Sequence, residues 1–163
     1  VSLALTYIYT HQKSNNTTMD DDKKYCYKYP RPAVTTDCVL LSPDGGQMQV
    51  LLVERGHEPY KGCWALPGGF INIDEDAPAA CRRELKEETG IAAGQLMQLG
   101  AYTKPDRDPR GRVISIVFLA YVDKRVEPKA GDDASKARWF KLTELPELAF
   151  DHAQILRDVA AML

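Results

Sequence analysis

The sequence lacks any apolar run near the ~20 residues needed to span a bilayer as a helix, and it lacks an excess of either charge. Lys and Arg total 21 and Asp and Glu total 23, a net charge of −2. That balance gives no bulk electrostatic handle for nucleic-acid phosphates or an anionic membrane. The four cysteines, Cys26, Cys38, Cys63 and Cys81, form no close pair. A zinc site would want ligands two to four residues apart, and a secreted disulfide scaffold would be shorter and denser in Cys. They are expected to be reduced thiols, small apolar residues in a cytoplasmic protein. Neither a Gly-x4-Gly-Lys-Ser/Thr loop nor a Gly-x-Gly-x-x-Gly fingerprint occurs, and His57-Glu58 is not followed by the second His of a zincin. The histidines at 11, 57 and 152 are far apart and read as structural or surface residues. There is no internal repeat.

What is present is 163 residues, 44% of them hydrophobic, enough for one domain with a real core. Residues 1–28 are expected to form a disordered or partly ordered tail and 29–163 the domain. The tail opens on a short apolar stretch with no basic residue before it and no small-residue cleavage site after it, unlike a signal peptide. It continues through the charge run Asp20-Asp21-Asp22-Lys23-Lys24, and Met19 is the expected natural start of translation. Residues 34–41 and 47–53 read as strands of a hairpin about Asp44-Gly45-Gly46. Residues 54–69 read as a long, functional loop. A helix is predicted over 76–89, capped by Asp76, with Pro78 in its first turn and Gly90 at its end. Strands follow at 95–102, 113–122 and 137–142, the second of them central and buried on both faces. A closing helix at 151–163 turns Ile155, Leu156, Val159 and Met162 inward. Strands dominate, so the class is α+β.

The helix at 76–89 carries the chemistry. Glu84, Glu87 and Glu88 stand at i, i+3 and i+4 and fall within one arc of about 100°. Like charges at these spacings repel. Two readings fit: a solvated acidic face, or carboxylates collected by a cation. An oxygen-only donor set selects a hard ion, Mg²⁺ or Mn²⁺, over Zn²⁺. Arg83 lies one turn before Glu87 and can orient it, while Cys81 and Leu85 supply an apolar flank.

The full pattern is Gly69-x5-Glu75-x7-Arg83-Glu84-Leu85-x-Glu87-Glu88-x-Gly90-Ile91, 23 residues. It resembles the Nudix box without a mismatch. Its seven fixed identities would coincide by chance on the order of 10⁻⁸ per start position. The resemblance extends through most of the domain, including Trp64-Ala65-Leu66-Pro67-Gly68-Gly69-Phe70, but not the tail. It implies a Nudix fold, a mixed β-sheet sandwiched between α-helices (an α/β/α sandwich), and hydrolysis of a nucleoside diphosphate linked to another moiety. It implies Glu84 and Glu88 as principal metal ligands, Glu87 as ligand or supporting partner, and the Gly68 carbonyl as a further ligand. A homodimer is implied by the family alone.

The segment 102–112, with Lys104, Pro105, Arg107, Arg110 and Arg112, looks like the loop of ADP-ribose pyrophosphatases. That subgroup carries a proline about fifteen residues past the box, and Pro105 fits. The segment 148–153 also resembles the end of this subgroup. The expected reaction is ADP-ribose plus water to AMP and ribose 5-phosphate. Candidate substrate contacts are Arg55, Trp64, Phe70, Lys104, Arg107 and Arg110. Asp132 or Asp133, in the turn before the last strand, is a candidate general base beside Glu87 and Glu88, and turn residues are the plainer reading of both aspartates. The alternatives are a nucleotide-pool sanitiser acting on (d)NTPs and a non-enzymatic Nudix ligand sensor. About a dozen residues follow Phe150, fewer than a DNA-binding domain needs, and the intact Glu set favours an enzyme.

Overall fold

The computed structural model describes residues 27–128 and 134–163. The chain divides into two units, Val1–Pro32 and Ala33–Leu163. Within the described part of the first, the Arg31 guanidinium lies 3.8 Å from the centre of the Tyr27 ring.

The elements of the second unit are β1 (Ala33–Asp44), β2 (Gln47–Arg55), β3 (Trp64–Ala65), β4 (Gly68–Phe70), α1 (Ala77–Thr89), β5 (Met97–Tyr102), β6 (Val113–Tyr121), β7 (Ala134–Lys141) and α2 (His152–Ala160). Among the described residues the seven strands make one sheet, ordered β3-β2-β1-β6-β5, with β4 also pairing β1 and β7 pairing β2. β1 and β6 run parallel, and the other pairs are antiparallel. The sheet is therefore mixed, as the family resemblance implies.

The β1–β2 hairpin turns on Gly45 and Gly46, at φ +57° and +82°. Asp44 pairs with Gln47, so these two residues form the whole loop. A two-residue hairpin with positive φ at both positions matches strand twist and favours glycine.

Side-chain alternation along the strands explains the layers. Val39 and Leu41 of β1, Val50 and Leu52 of β2, and Val117 and Leu119 of β6 pack with Ile155, Leu156 and Val159 of α2. The intervening Cys38, Leu40, Leu51, Phe118 and Ala120 pack with Cys81 and Leu85 of α1. One helix thus covers each face. Cys38 and Cys81 are buried in the second cluster and Cys63 is half-buried; Cys26 lies outside the described residues. No helix among the described residues is long and apolar enough to cross a membrane.

Leu85 is fully buried and pins α1, with its carboxylates, to the sheet. Leu85→Ala is expected to cost about 2–5 kcal/mol through lost burial and a residual cavity, read as a fall in thermal midpoint.

Three expectations need correction. Residues 54–69 are not one loop: β2 runs on to Arg55, β3 lies within the stretch and β4 begins in it. Strands of two and three residues are too short to show alternation. β6 lies inside the sheet, between β1 and β5, but it is not the strand buried on both faces, since Ile114 and Ile116 remain half-buried. β1 takes that place between β2 and β6, with residues 35–42 buried throughout. Met162 does not face inward: α2 ends at Ala160 and Met162 is 65% exposed.

Candidate active site

α1 is held at both ends by its own sequence. The Asp76 side chain accepts from the Ala79 N–H at 2.9 Å, satisfying one free donor of the first turn. Gly90, at φ +72°, closes the helix by donating its N–H to the Lys86 carbonyl at 2.8 Å. With Ala80, Cys81, Leu85 and Thr89 buried, helical geometry turns Glu84 and Glu88 towards β4. The Gly68 N–H donates to Glu88 Oε2 at 3.0 Å. At Gly69 a Cβ would collide with the Glu84 carboxylate, whose carbon would lie 2.5 Å away. A side chain there would have to displace that carboxylate, whereas at Gly68 a Cβ would run into the backbone of Thr36 and Asp37, so close approach requires glycine at Gly68.

Burial pushes the Glu88 carboxyl up to about 8, with Glu84 and Asp37 adding to the rise and the Gly68 N–H opposing it. Burial also raises Glu84, against the pull of Arg83. Two desolvated carboxylates side by side call for a proton or a cation between them. Glu87 is the outlying member, its side chain 59% exposed.

Arg83 organises this face more widely than one pairing with Glu87. It donates to Glu75 at 2.6 and 3.0 Å, to Glu84 at 2.7 Å, to Glu87 at 3.0 Å and to the Phe70 carbonyl at 3.2 Å. These carboxylates hold its guanidinium well above the usual arginine range, the Glu75 bond contributing most. Glu75 is fixed in turn by accepting from the Asn72 N–H at 2.8 Å. Among the described residues no three or more His, Cys, Asp or Glu side chains already converge on one point for an ion; the carboxylates are held by Arg83 and Gly68 instead. The donor chemistry is all oxygen and fits a hard divalent ion.

Beside the carboxylates lies a stack of arginines and rings. The Arg110 guanidinium sits 5.2 Å from the Phe70 ring centre and 5.3 Å from that of Phe150, and Arg55 sits 4.7 Å from Phe150. Arg110 forks onto Asp108 at 2.7 Å. Arg55 donates to the carbonyls of Pro59 at 2.8 Å and His57 at 3.4 Å. Burial and the neighbouring Arg110 lower its pKa. Tyr60 meets Phe150 edge-on at 5.0 Å. Beyond Phe150 a cleft of about 350 Å³ is lined by Lys104, Phe150, Asp151 and Arg157 among others.

The structure thus brings Glu84, Glu87, Glu88, Arg83, Gly68, Phe70, Arg55 and Arg110 together. Lys104 stands at the adjoining cleft, 74% exposed and 3.6 Å from Asp106. Two expected substrate contacts are turned elsewhere. The Arg107 side chain is only 3% exposed; it forks onto Asp151 at 2.6 and 2.9 Å, with Asp37 at 3.9 Å. It is a buried anchor for its loop rather than a ligand for substrate. Trp64 packs edge-on against Phe140 at 4.6 Å within the α2-side core. Asp132 and Asp133 lie outside the described residues.

Sequence reasoning missed Phe150 and Tyr60, and it missed the buried group behind the site. Asp37 of β1 accepts from Ser115 Oγ and stands 3.6 Å from His152 Nε2. His152 Nδ1 accepts from the Leu66 N–H at 2.9 Å, which places the neutral ring's proton on Nε2, facing Asp37. His152 is therefore structural, as expected. Burial lowers its pKa, with Arg107 and Arg55 lowering and Asp37 and Asp151 raising it. Below about pH 6.5 the unfolded chain takes up a proton that the folded imidazole refuses, so stability is lost as pH falls through that range. His152→Asn, which keeps an acceptor for Leu66, is expected to flatten the pH dependence of the thermal midpoint below pH 6.5.

The NUDIX domain profile matches residues 31–159. The chain belongs to the Nudix family. An ADP-ribose pyrophosphatase of Methanocaldococcus jannaschii is 49% identical over 138 residues, covering 85% of this chain and 78% of that protein. Among solved structures, the NUDIX domain of Shewanella oneidensis NrtR complexed with ADP ribose aligns with a TM-score of 0.77 at 29% identity, over 82% of this chain and 90% of that one. A bifunctional NMN adenylyltransferase/ADP ribose pyrophosphatase from Francisella tularensis, complexed with AMP and a manganese ion, aligns with a TM-score of 0.70 at 32% identity. It covers 83% of this Nudix chain and 43% of that one.

Proposed function

We propose that this Nudix protein hydrolyses the pyrophosphate bond of ADP-ribose, giving AMP and ribose 5-phosphate, with Mg²⁺ or Mn²⁺ as its ion. The carrying observation is the pair of half-buried carboxylates, Glu84 and Glu88, set against the Gly68–Phe70 strand with Arg55 and Arg110 alongside. The similarity to the pyrophosphatase and to the ADP-ribose complex supports the choice of substrate.

Glu84, Glu88, the neighbouring Glu87 and the Gly68 carbonyl would hold the ion. When bound, such an ion polarises phosphoryl oxygens and offsets the charge that develops on them. The chain's own residues supply the setting. Arg83 holds Glu84 and Glu87 in fixed orientation, and Gly69 leaves the room that the Glu84 carboxylate occupies. Arg55 and Arg110 present guanidinium groups that suit diphosphate oxygens through charge-assisted hydrogen bonds. Lys104, at the cleft beyond Phe150, is placed to meet the ribose phosphate end. A homodimer and a cytoplasmic location complete the reading on family resemblance.

The test is a panel of ADP-ribose, NADH, sugar nucleotides, dinucleoside polyphosphates and dNTPs with either ion. ADP-ribose is expected to give the highest kcat/KM. Equal or better turnover of dGTP would move the assignment to nucleotide-pool sanitising. Tight binding of ADP-ribose without turnover would make the domain a sensor.

A further inference from the structure

Phe150 connects the anchors behind the site to the two arginines in it. Its backbone sits at φ +54°, a region that side chains with a Cβ rarely adopt and that persists only where the surroundings fix it. Those surroundings are explicit. The preceding Ala149 donates its N–H to the Trp64 carbonyl at 2.8 Å. The following Asp151 is gripped by the Arg107 fork at 2.6 and 2.9 Å, and His152 accepts from the Leu66 N–H at 2.9 Å. These anchors at 149, 151 and 152, to β3, to the 103–112 loop and to the segment joining β3 and β4, fix the stretch of chain from which the intervening ring projects. The ring then carries Arg55 at 4.7 Å and Arg110 at 5.3 Å. Arg55 leans on carbonyl oxygens, Arg110 forks onto Asp108, and the two guanidinium groups repel each other; the Phe150 ring is the aromatic face that both of them share.

We propose that Phe150 is a positioning residue: its ring holds Arg55 and Arg110 side by side as a diphosphate clamp, without itself touching the reacting phosphates. An aromatic quadrupole attracts guanidinium groups on its face, which an aliphatic side chain of equal bulk cannot do. The 103–112 loop accordingly has two jobs. Arg107 fixes the frame of Phe150, and Arg110 uses its ring.

This proposal rests on the pyrophosphatase reading but is separable from it. ADP-ribose kinetics and calorimetric binding of inorganic pyrophosphate with Mg²⁺ are measured on the wild type and on Phe150→Leu, Phe150→Asn, Phe150→Tyr, Arg55→Ala and Phe150→Leu/Arg55→Ala. Asparagine tolerates the left-handed backbone, so a ring-free variant remains if the leucine variant fails to fold; Phe150→Asn/Arg55→Ala then closes the same cycle. Loss of the ring is expected to raise KM and the pyrophosphate Kd roughly tenfold, with kcat within about threefold and tyrosine restoring both. In the Arg55→Ala background the same loss is expected to cost clearly less, because the two changes share one interaction. Unchanged KM and Kd, a tyrosine variant as impaired as the ring-free ones, or fully additive effects would overturn the proposal; additivity would mean that the ring meets the ligand directly. If the wild type binds pyrophosphate through this clamp but does not turn over ADP-ribose, the clamp stands and the substrate assignment falls. If the wild type binds no pyrophosphate, the clamp falls.

Discussion

Glu88→Gln is expected to lower turnover of ADP-ribose by at least about 100-fold, the scale that follows damage to a catalytic ion's placement. The substitution is nearly isosteric, and an amide oxygen can still accept from the Gly68 N–H, so the β4–α1 contact survives. What is lost is a formal charge at the deepest point of the acidic face. Glu84→Gln is expected to behave similarly, with an added disturbance of Arg83, which donates to Glu84 at 2.7 Å. A second readout moves the other way. Burial pushes Glu88 up to about 8, against an ordinary glutamate value of about 4.3. The folded state therefore holds a proton that the unfolded chain gives up across this window. Without metal, stability should fall as pH rises from about 4.3 through 8. Glu88→Gln removes that cost, so at pH 8 and free of metal it should melt above the wild type. Near-normal metal-dependent turnover in Glu88→Gln would contradict the assignment.

Arg107→Ala is expected to destabilise the fold by about 3–5 kcal/mol, the range for breaking a buried ion pair by removing one partner. The deletion leaves Asp151, half-buried at the edge of the cleft, and beside it the buried Asp37, without the guanidinium that holds them. For a chain of this length the loss corresponds to a thermal midpoint lower by roughly 10 °C. Arg107→Lys should recover only part of it, since an ammonium cannot reproduce the fork on Asp151. Thermal or urea denaturation decides the matter. An Arg107→Ala protein as stable as the wild type, with only KM raised, would return Arg107 to the substrate-facing role expected from sequence.

That contrast shows where the sequence stopped being informative. Arg107 and Arg110 are three residues apart in one polar loop and carry the same chemistry, yet one is buried and the other forms part of the site. Their difference is made by Asp151, 44 residues from Arg107, which no local pattern contains. Trp64 misled for a similar reason: it adjoins the glycines of the site in sequence, but β3 turns its ring onto Phe140 in the other layer. Phe150 was invisible as a site residue because its position depends on an unusual backbone conformation, not on spacing. By contrast, α1 was readable almost to the residue. Asp76, Pro78 and Gly90 punctuate it, and its apolar and acidic faces follow the 3.6-residue period. The β1–β2 hairpin was equally legible from Asp44-Gly45-Gly46. What local periodicity and turn chemistry encode could be read. What long-range pairing decides, including which member of a charged loop turns inward, needed the fold.

The central claim is hydrolysis of ADP-ribose at the Glu84–Glu88 face, and its most direct test is to incubate the metal-free protein with ADP-ribose, add Mg²⁺ or Mn²⁺, and identify products by mass. The account predicts equimolar AMP and ribose 5-phosphate, formed only with the divalent ion and stopped by a chelator. Intact ADP-ribose in the presence of both ions, or turnover that persists after chelation, would contradict it.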